Sequence, residues 1–336
     1  MIEIDGSSGG GQMLRTALSL SAVTGQPFRM EKIRGSRPEP GLKRQHLECV
    51  RAAARIADAE VRGDSKGSGE IEFRPSGLDS TGFTANIGTA GSTTLLLDTV
   101  LPVTTQFSGG FRLTAKGGTD VKWSPTVEWH RRVKMGVLRR HGFSGSLELE
   151  RTGFYPAGGG EVTLETSEFS MDRIELVERG QLERFEIYSK ASTDLRDSNV
   201  ADRQADEAAR MLKNDHVSTE LDKEVEYVET DSPGSSLMVR AVYRDSVAGF
   251  DALGEKGKRS EEVAREAVED FRSFHGSGAA VDPFLADQLM VFAAVVGGEY
   301  SAPEMTPHMQ TNLEVIRVFD RELDVQHRED SVVVRN

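Results

Sequence analysis

One pattern recurs four times along the chain and restricts its fold more than any other feature. Each copy has a Gly-, Ser- or Pro-rich opening, a buried or amphipathic helix, a glycine stop and then a strand. The four helical stretches read QMLRTALSLSAVTG, STTLLLDTVLPVT, SPTVEWHRRVKMGVLRRHGF and DPFLADQLMVFAAVVGG. Such recurrence with diverged sequence is typical of an internal structural repeat. The pattern therefore predicts an α/β (α+β) protein whose large domain consists of repeated αβ units.

The character of the sequence changes between Glu183 and Gly276. This stretch contains the strand patterns EIYSKAS, VEYVE and SLMVRAVY and the helical patterns ADRQADEAARMLKN and SEEVAREAVEDFRSF. The repeated pattern resumes after it, which is typical of a domain inserted into another. We predict a large domain from residues 1–182 and 277–336, and a small inserted αβ domain from residues 183–276.

Several classes of protein are disfavoured by the sequence. No apolar run approaches the ~18 residues of a membrane span, and the chain enters a strand at Met1-Ile2-Glu3-Ile4 without a signal peptide. We therefore expect a soluble, cytoplasmic protein with no membrane partner. Cys49 is the single cysteine, and no zinc-type Cys/His spacing, CxxC pair or Ser/His/Asp order is present. The sequence specifies no oligomeric state.

The charge balance is unusually acidic, with 54 acidic and 41 basic residues and a net charge of −13. Of the basic residues, 30 are Arg and 11 are Lys. This halophilic composition predicts a protein that works in concentrated salt, and it argues against nonspecific adhesion to nucleic acid. An RNA would have to bind to local clusters of basic residues. The best candidate is the loop and helix start that carries Arg34, Arg37, Lys43 and Arg44, followed by Gln45 and His46.

The clearest catalytic candidate is His308, in the sequence Thr306-Pro307-His308. Thr306 is a predicted N-cap and Pro307 occupies the first helical position, so His308 lies in the first turn of a helix. The positive end of the helix dipole disfavours a protonated imidazole, and a neutral imidazole is a nucleophile. The preceding helix is predicted to start near Asp282-Pro283, where an acceptor side chain precedes a Pro at the first helical position, and Asp287 and Gln288 interrupt its otherwise apolar pattern. The alternative is that His308 simply ends a loop.

A second candidate feature is the glycine-rich loop from Gly6 to Gly11, which precedes a helix. Its bare backbone amides are suited to approach an anion, and Arg15 lies one turn inside that helix. No Lys-Ser/Thr pair follows the loop, so it is not the phosphate-binding P-loop of nucleoside triphosphatases.

Seven ordered segments resemble the RNA 3′-terminal phosphate cyclase family across nearly the whole length. They are IDG…GGGQMLRTALSLSAVTGQPF, RPEPGLKRQH, IGTAGSTTLLLDTVLP, AKGGTD, RTGFYPAGGGEV, FLADQL and TPHMQTN. The resemblance implies repeated α/β units like the C-terminal half of translation initiation factor three, with an inserted αβ domain. It also implies ATP-dependent conversion of an RNA 3′-terminal phosphate to a 2′,3′-cyclic phosphodiester. The implied partners are ATP, an RNA with a 3′-terminal phosphate, and a divalent metal (Mg or Mn).

The resemblance also implies roles for individual residues. His308 matches the histidine that becomes covalently adenylylated, and Phe284, Leu285, Ala286, Asp287 and Gln288 match the ATP-binding segment. Phe284 would stack on adenine. Positions matching the polar RNA- and phosphate-binding residues of the cleft are Arg15, Arg37, Gln45 and His46.

Two positions depart from the family pattern. Ser8 stands where a loop Glu is thought to help bind metal, so the metal ligands are unassigned, and Glu3, Asp5 or another carboxylate would have to substitute. Asp98 stands where an ATP-contacting Gln is usual, and a carboxylate there is expected to repel phosphates unless it binds metal or ribose. These departures leave open a noncatalytic, cyclase-like RNA-binding protein. An enolpyruvyl transferase shares the repeated fold but would not need the FLADQ and TPH segments.

Overall fold

The computed structural model describes residues Met1 to Asn336 and contains a β-α-β-α-β-β unit three times. In the first unit, the elements are β1 (Ile2–Asp5), α1 (Gly11–Thr24), β2 (Phe28–Glu31), α2 (Arg44–Ile56), β3 (Glu60–Arg62) and β4 (Ile71–Arg74). The sheet order is β1-β2-β4-β3, with β1 and β2 parallel and the other pairs antiparallel.

The second unit repeats this arrangement. Its elements are β5 (Phe83–Asn86), α3 (Thr93–Thr104), β6 (Phe111–Gly117), α4 (Val127–Trp129), a π-helical turn (His130–Lys134), α5 (Met135–Arg140), β7 (Gly145–Arg151) and β8 (Gly160–Thr166). The sheet order is β5-β6-β8-β7, with the parallel pair again first.

The third unit begins with β9 (Ile174–Leu176) and is then interrupted. The interruption comprises β10 (Leu182–Ser192), a 3-10 turn (Thr193–Ser198), α6 (Val200–Asp215), β11 (Glu220–Val228), β12 (Ser235–Tyr243), β13 (Val247–Leu253) and α7 (Ser260–Ser277). The unit then continues with α8 (Pro283–Val296), β14 (Gly298–Ala302), α9 (Pro307–Val318), β15 (Asp324–His327) and β16 (Val332–Arg335). Its sheet, ordered β9-β14-β16-β15, matches the other two in order and in strand direction.

The interrupting segment has its own sheet, ordered β11-β10-β12-β13, and its own hydrophobic cluster of 20 buried residues. The three repeated units share a second cluster of 65 buried residues, to which the insertion contributes only Met238, Val242 and Val247. Because a separate core is what defines a domain, we propose residues 183–276 as an inserted domain in a frame formed by residues 1–182 and 277–336.

The α/β fold of repeated units is confirmed, but the predicted count of four copies is wrong. The chain has three units with two helices each, and the insertion lies inside the third unit rather than between two copies. The miscount has a structural cause: each predicted copy has one helix, whereas each unit has two. The stretches STTLLLDTVLPVT and SPTVEWHRRVKMGVLRRHGF, predicted as two copies, are the two helical segments of the second unit.

Helix α1 is the central helix of the frame, because it packs against α2, α3, α8 and α9. Two predicted helix starts next to the site are confirmed. The Asp282 carboxylate accepts hydrogen bonds from the backbone N–H groups of Phe284 and Leu285, and the Thr306 hydroxyl accepts one from Met309. These caps fix where α8 and α9 begin. None of the helices combines the length and apolar character needed to cross a bilayer.

Candidate active site

A cavity lies where α1, α3, α8, α9 and the segment from Trp123 to Lys134 converge. Elements of all three repeated units therefore contribute to it. Its polar, charged and aromatic lining residues are Gln12, Arg15, Thr16, Ser19, Asp98, Trp123, Lys134, Phe284, Asp287, Gln288, His308 and Asn312. Two cations face it, Arg15 and Lys134, which makes the cavity suitable for an anionic ligand.

His308 lies in the first turn of α9, and its ring Nδ1 is 3.0 Å from Oδ2 of Asp287. The His308 side chain is 52% exposed, whereas that of Asp287 is 16% exposed, so the imidazole is reachable and its partner is sheltered. Burial raises the pKa of Asp287, and the hydrogen bond from His308 opposes that rise. With an ionised Asp287, which only accepts, Nδ1 carries the proton and Nε2 keeps the lone pair. The pair can therefore present a nucleophilic nitrogen to the cavity.

Asn312 holds the pair in place from one turn further along α9. Its Oδ1 accepts a hydrogen bond of 2.9 Å from the Thr16 hydroxyl on α1, and its Nδ2 donates one of 3.2 Å to the Asp287 carbonyl on α8. Gln12 on α1 adds a third link, donating to the Thr311 hydroxyl on α9. Since Gln12, Thr16 and Asn312 are buried or nearly so, these bonds fix the three helices relative to one another.

Asp98 lies on α3, and its carboxylate is already paired. Oδ1 is 2.6 Å from Nζ of Lys134 and 2.9 Å from Nε2 of His130. Burial acts to raise the pKa of Asp98, but Lys134 and His130 outweigh it and hold the pKa well below its usual value. The sequence suggests metal or ribose as partners that would offset the Asp98 charge; within the protein, the buried Lys134 neutralises it.

A basic cluster surrounds the N-terminus of α1. A Cβ placed on Gly10 would lie 3.0 Å from Nη2 of Arg37, and one on Gly11 would lie 2.5 Å from Nε2 of His46 and 3.1 Å from Nη1 of Arg15. These glycines let the backbone approach three nitrogen-bearing side chains. Unpaired N–H groups at a helix N-terminus with nearby Arg side chains are suited to bind a phosphate.

His46 and Gln45 also have structural roles. His46 is buried, and its Nδ1 accepts a hydrogen bond from the Lys43 backbone, which leaves Nε2–H to face Gly11. Burial, with Arg15 nearby, lowers the pKa of His46 to about 3, so the ring is neutral. Gln45 Oε1 accepts a hydrogen bond from the Ser92 backbone and so ties the start of α2 to the loop that begins α3.

Comparison with known proteins agrees with this geometry. The model of the RNA 3′-terminal phosphate cyclase family matches residues 7–324. The chain belongs to this family. A protein named RNA 3′-terminal phosphate cyclase from Halobacterium salinarum is 40% identical over 342 residues, which cover 98% of each chain. One of the same name from Saccharolobus solfataricus is 42% identical over 329 residues, covering 97% of this chain and 95% of the relative. The predicted resemblance is confirmed.

The predicted ATP-binding segment, Phe284 to Gln288, divides into two faces. Leu285 and Ala286 are fully buried in the core, whereas Phe284, Asp287 and Gln288 line the cavity. Gln288 Oε1 is buried without a hydrogen-bond partner in the protein. An acceptor of this kind is suited to a ligand donor group.

At the position of the cyclase family's loop Glu, the Ser8 hydroxyl lies 3.3 Å from Oε2 of Glu314 on α9. Asp5, considered as a substitute, pairs instead with Lys32 at 2.6 Å and caps the Ser7 backbone. No three His, Cys, Asp or Glu side chains are arranged to hold a metal ion. The residues present do not fit a metal site built by the protein.

Six of the polar, charged and aromatic lining residues were not singled out from the sequence: Gln12, Thr16, Ser19, Trp123, Lys134 and Asn312. A signal existed for two of them. Gln12 and Asn312 are polar side chains on the apolar faces of their helices, and Asn312 is four residues after His308, hence on the same helix face. Lys134 follows Arg131 and Arg132, so its charge alone does not distinguish it. No periodic pattern in the sequence distinguishes Trp123 as a lining residue.

Proposed function

We propose that the protein is an ATP-dependent RNA 3′-phosphate cyclase that works through a covalent His308–AMP intermediate. The observation that supports it best is the His308–Asp287 pair, since both side chains line the cavity together with Arg15 and Lys134 and Nε2 of His308 has no hydrogen bond within the protein. The membership in the cyclase family supplies the reaction class.

In the first step, Nε2 of His308 attacks the α-phosphorus of ATP. A nitrogen–phosphorus bond forms, the bond between the α-phosphorus and the bridging oxygen breaks, and pyrophosphate leaves. Asp287 accepts the Nδ1–H hydrogen bond and so stabilises the positive ring that develops. Arg15 balances negative charge on the phosphates, while Lys134 neutralises Asp98 in the cavity wall. Phe284, 44% exposed at the cavity, offers a ring face for the adenine.

In the second step, an oxygen of the RNA 3′-phosphate attacks the adenylate phosphorus. The bond to His308 breaks and an RNA(3′)pp(5′)A end forms. In the third step, the neighbouring 2′-hydroxyl attacks the 3′-phosphorus, loses its proton, closes the 2′,3′-cyclic phosphate and expels AMP. Together the three steps replace a hydroxide-like leaving group on the 3′-phosphate with AMP, which is a much better leaving group.

The RNA end has a matching surface beside the cavity. Arg37 and His46 lie at the N-terminus of α1, Gln45 precedes His46 on α2 and binds the loop that begins α3, and Arg15 faces both His46 and the cavity. We propose that the 3′-phosphate binds there. Since the side chains do not form a metal site, a divalent ion would be held mainly by nucleotide phosphates and water, and none of the steps above is assigned to it.

The test is adduct formation with ATP labelled at the α-phosphate. We expect one adenylate on the peptide that carries His308, located by mass spectrometry, and none in the His308→Ala variant. The matched control is His327→Ala, an exposed histidine in β15 that does not line the cavity. An adduct that survives His308→Ala would refute the assignment of the nucleophile. RNA binding without an adduct and without cyclisation, in concentrated salt, would favour the noncatalytic relative.

A further inference from the structure

Trp123 is the most exposed large apolar side chain of the protein, at 94%, whereas the other tryptophan, Trp129, is fully buried. Its backbone φ is +66°, in the left-handed region that bulky residues avoid. Neither feature helps the protein fold. Backbone strain of this kind concentrates at sites that bind ligands, because the surrounding structure must hold it in place.

The segment around Trp123 is anchored on both sides. The Ser124 hydroxyl donates to the Val121 carbonyl at 3.1 Å, the Pro125 carbonyl accepts from the Thr94 hydroxyl at 3.0 Å, and the Thr126 N–H donates to Asp251 at 2.6 Å. Lys122 pairs with Glu255 of the proposed inserted domain at 2.7 Å. The indole is therefore held outward by a well-bonded segment.

Its position distinguishes it from Phe284. Both rings line the cavity that contains His308, but Phe284 is packed edge-on against Trp129 at 6.3 Å between ring centroids, while Trp123 has no aromatic neighbour. Phe284 thus forms part of the wall, and Trp123 stands out at the opening. A ligand bound inside the cavity meets Phe284, and the part of a ligand that remains outside meets Trp123.

We propose that Trp123 is the stacking platform for the 3′-terminal nucleobase of the RNA. This inference rests on the proposed function, because an RNA end delivers its 3′-phosphate to the His308 cavity and leaves its terminal base at the rim. Stacking on an indole is tolerant of base identity, since every base has a π-face. Trp123 would give affinity for RNA ends without selecting their sequence.

Tryptophan fluorescence tests binding directly, because Trp123 supplies the solvent-exposed emission and Trp129 the buried emission. The probe is a short oligoribonucleotide with a 3′-phosphate, added to the His308→Ala protein so that no reaction occurs. We expect it to quench the exposed emission, and we expect the Trp123→Phe variant to lack that signal. The same oligonucleotide with an abasic 3′-terminal nucleotide should bind roughly 10-fold more weakly and quench little.

A second measurement distinguishes whether Trp123 binds the 3′-terminal base of the RNA or the adenine of ATP. In the protein with His308 intact, Trp123→Ala should raise the KM for the 3′-phosphate RNA roughly 10-fold, and Trp123→Phe should restore most of it. The KM for ATP in adenylate formation should rise much less than the KM for RNA. The buried Trp129 emission checks that each variant is folded. A KM for ATP that rises as much as the KM for RNA, quenching by ATP alone, or equal binding of the abasic oligonucleotide would overturn the proposal. Base-dependent quenching in a protein that never forms an adenylate would leave Trp123 as an RNA platform and refute the proposed function instead.

Discussion

At the scale of single residues, the site depends on one hydrogen bond, between Nδ1 of His308 and Asp287. A ring bonded through Nδ1 to a carboxylate has its tautomer and orientation fixed, and its other nitrogen is free to react. A carboxamide in place of the carboxylate can present its NH₂ group to the ring and favour the wrong tautomer.

Asp287→Asn is therefore expected to lower the single-turnover rate of adenylate formation roughly 100-fold or more, because both the tautomer and the charge that stabilises the developing imidazolium are lost. The Kd for ATP should change little. Rapid-quench measurement with labelled ATP gives the rate. The control is Glu304→Gln, an exposed carboxylate just before α9, which should leave it unchanged. A variant as fast as the parent would mean that Asp287 does not orient the nucleophile.

At the scale of elements, the site depends on how α1, α8 and α9 are joined through Asn312. Asn312→Leu removes an acceptor for Thr16 and a donor to the Asp287 carbonyl, and it leaves both groups unsatisfied in a sheltered place. We expect the free energy of unfolding to fall by about 2–3 kcal/mol, measured by urea titration. Adenylate formation should slow roughly 10-fold as His308 loses its placement.

The control for that substitution is Gln310→Leu, at an exposed position of the same helix. If stability fell in Asn312→Leu but adenylate formation did not, the bonds through Asn312 would stabilise the fold without positioning the nucleophile.

A second element-scale feature is a pair of carboxylates, Asp282 buried and Asp251 half-buried, where the frame meets the proposed inserted domain. Asp282 caps α8 and also accepts from the Gly249 N–H, while Asp251 accepts from the Thr126 N–H. Burial raises the pKa of Asp282 to about 7 and that of Asp251 to about 6, and the Asp251 charge adds to the rise at Asp282. Asp120, also buried, adds to the effect on Asp251.

The sign of the pH dependence follows from these directions. A carboxyl whose pKa is raised on folding stabilises the folded state while it is protonated, and that contribution is lost as pH rises from about 4 to about 7. The free energy of unfolding of Asp282→Asn, measured by urea titration, should therefore rise by roughly 2 kcal/mol relative to that of the parent between about pH 5 and pH 8. Asp320→Asn, exposed at the end of α9, should show no such change. A constant difference between Asp282→Asn and the parent across this range would contradict the prediction.

At the scale of the whole molecule, the net charge of −13 works against the compact state, because like charges repel. The Debye length falls from about 10 Å at 0.1 M salt to about 3 Å at 1 M, so concentrated salt relieves that repulsion. Salt weakens exposed ion pairs as well, but each such pair contributes little to the free energy of unfolding.

We therefore expect the free energy of unfolding to rise between about 0.1 M and 2 M KCl, measured by urea titration. The control variant carries Asp64→Lys and Glu329→Lys, at two exposed positions outside any ion pair. Its free energy of unfolding should rise less with salt, because its net negative charge is smaller. Full stability and activity in dilute buffer would contradict the predicted adaptation to salt.

The sequence by itself determined the local structure around the site. Asp282 and Thr306 cap their helices as predicted, because capping depends only on a side-chain oxygen and the next three residues. The ordered motifs also determined the family. The same reasoning failed for the number of repeats, because no local pattern shows that α3 and the helical segment from Val127 to Arg140 belong to one unit with one sheet.

Only the tertiary structure decided which side chains meet. Gln12 and Thr311 are 299 residues apart in sequence, and Asp98 and Lys134 lie on different elements, so no local pattern relates them. Long-range packing of three repeated units brings Arg15, Lys134, Asp287 and His308 to one cavity, and it leaves Trp123 at the rim. Propensity and periodicity act over a few turns of chain, whereas a site is assembled by contacts between distant segments.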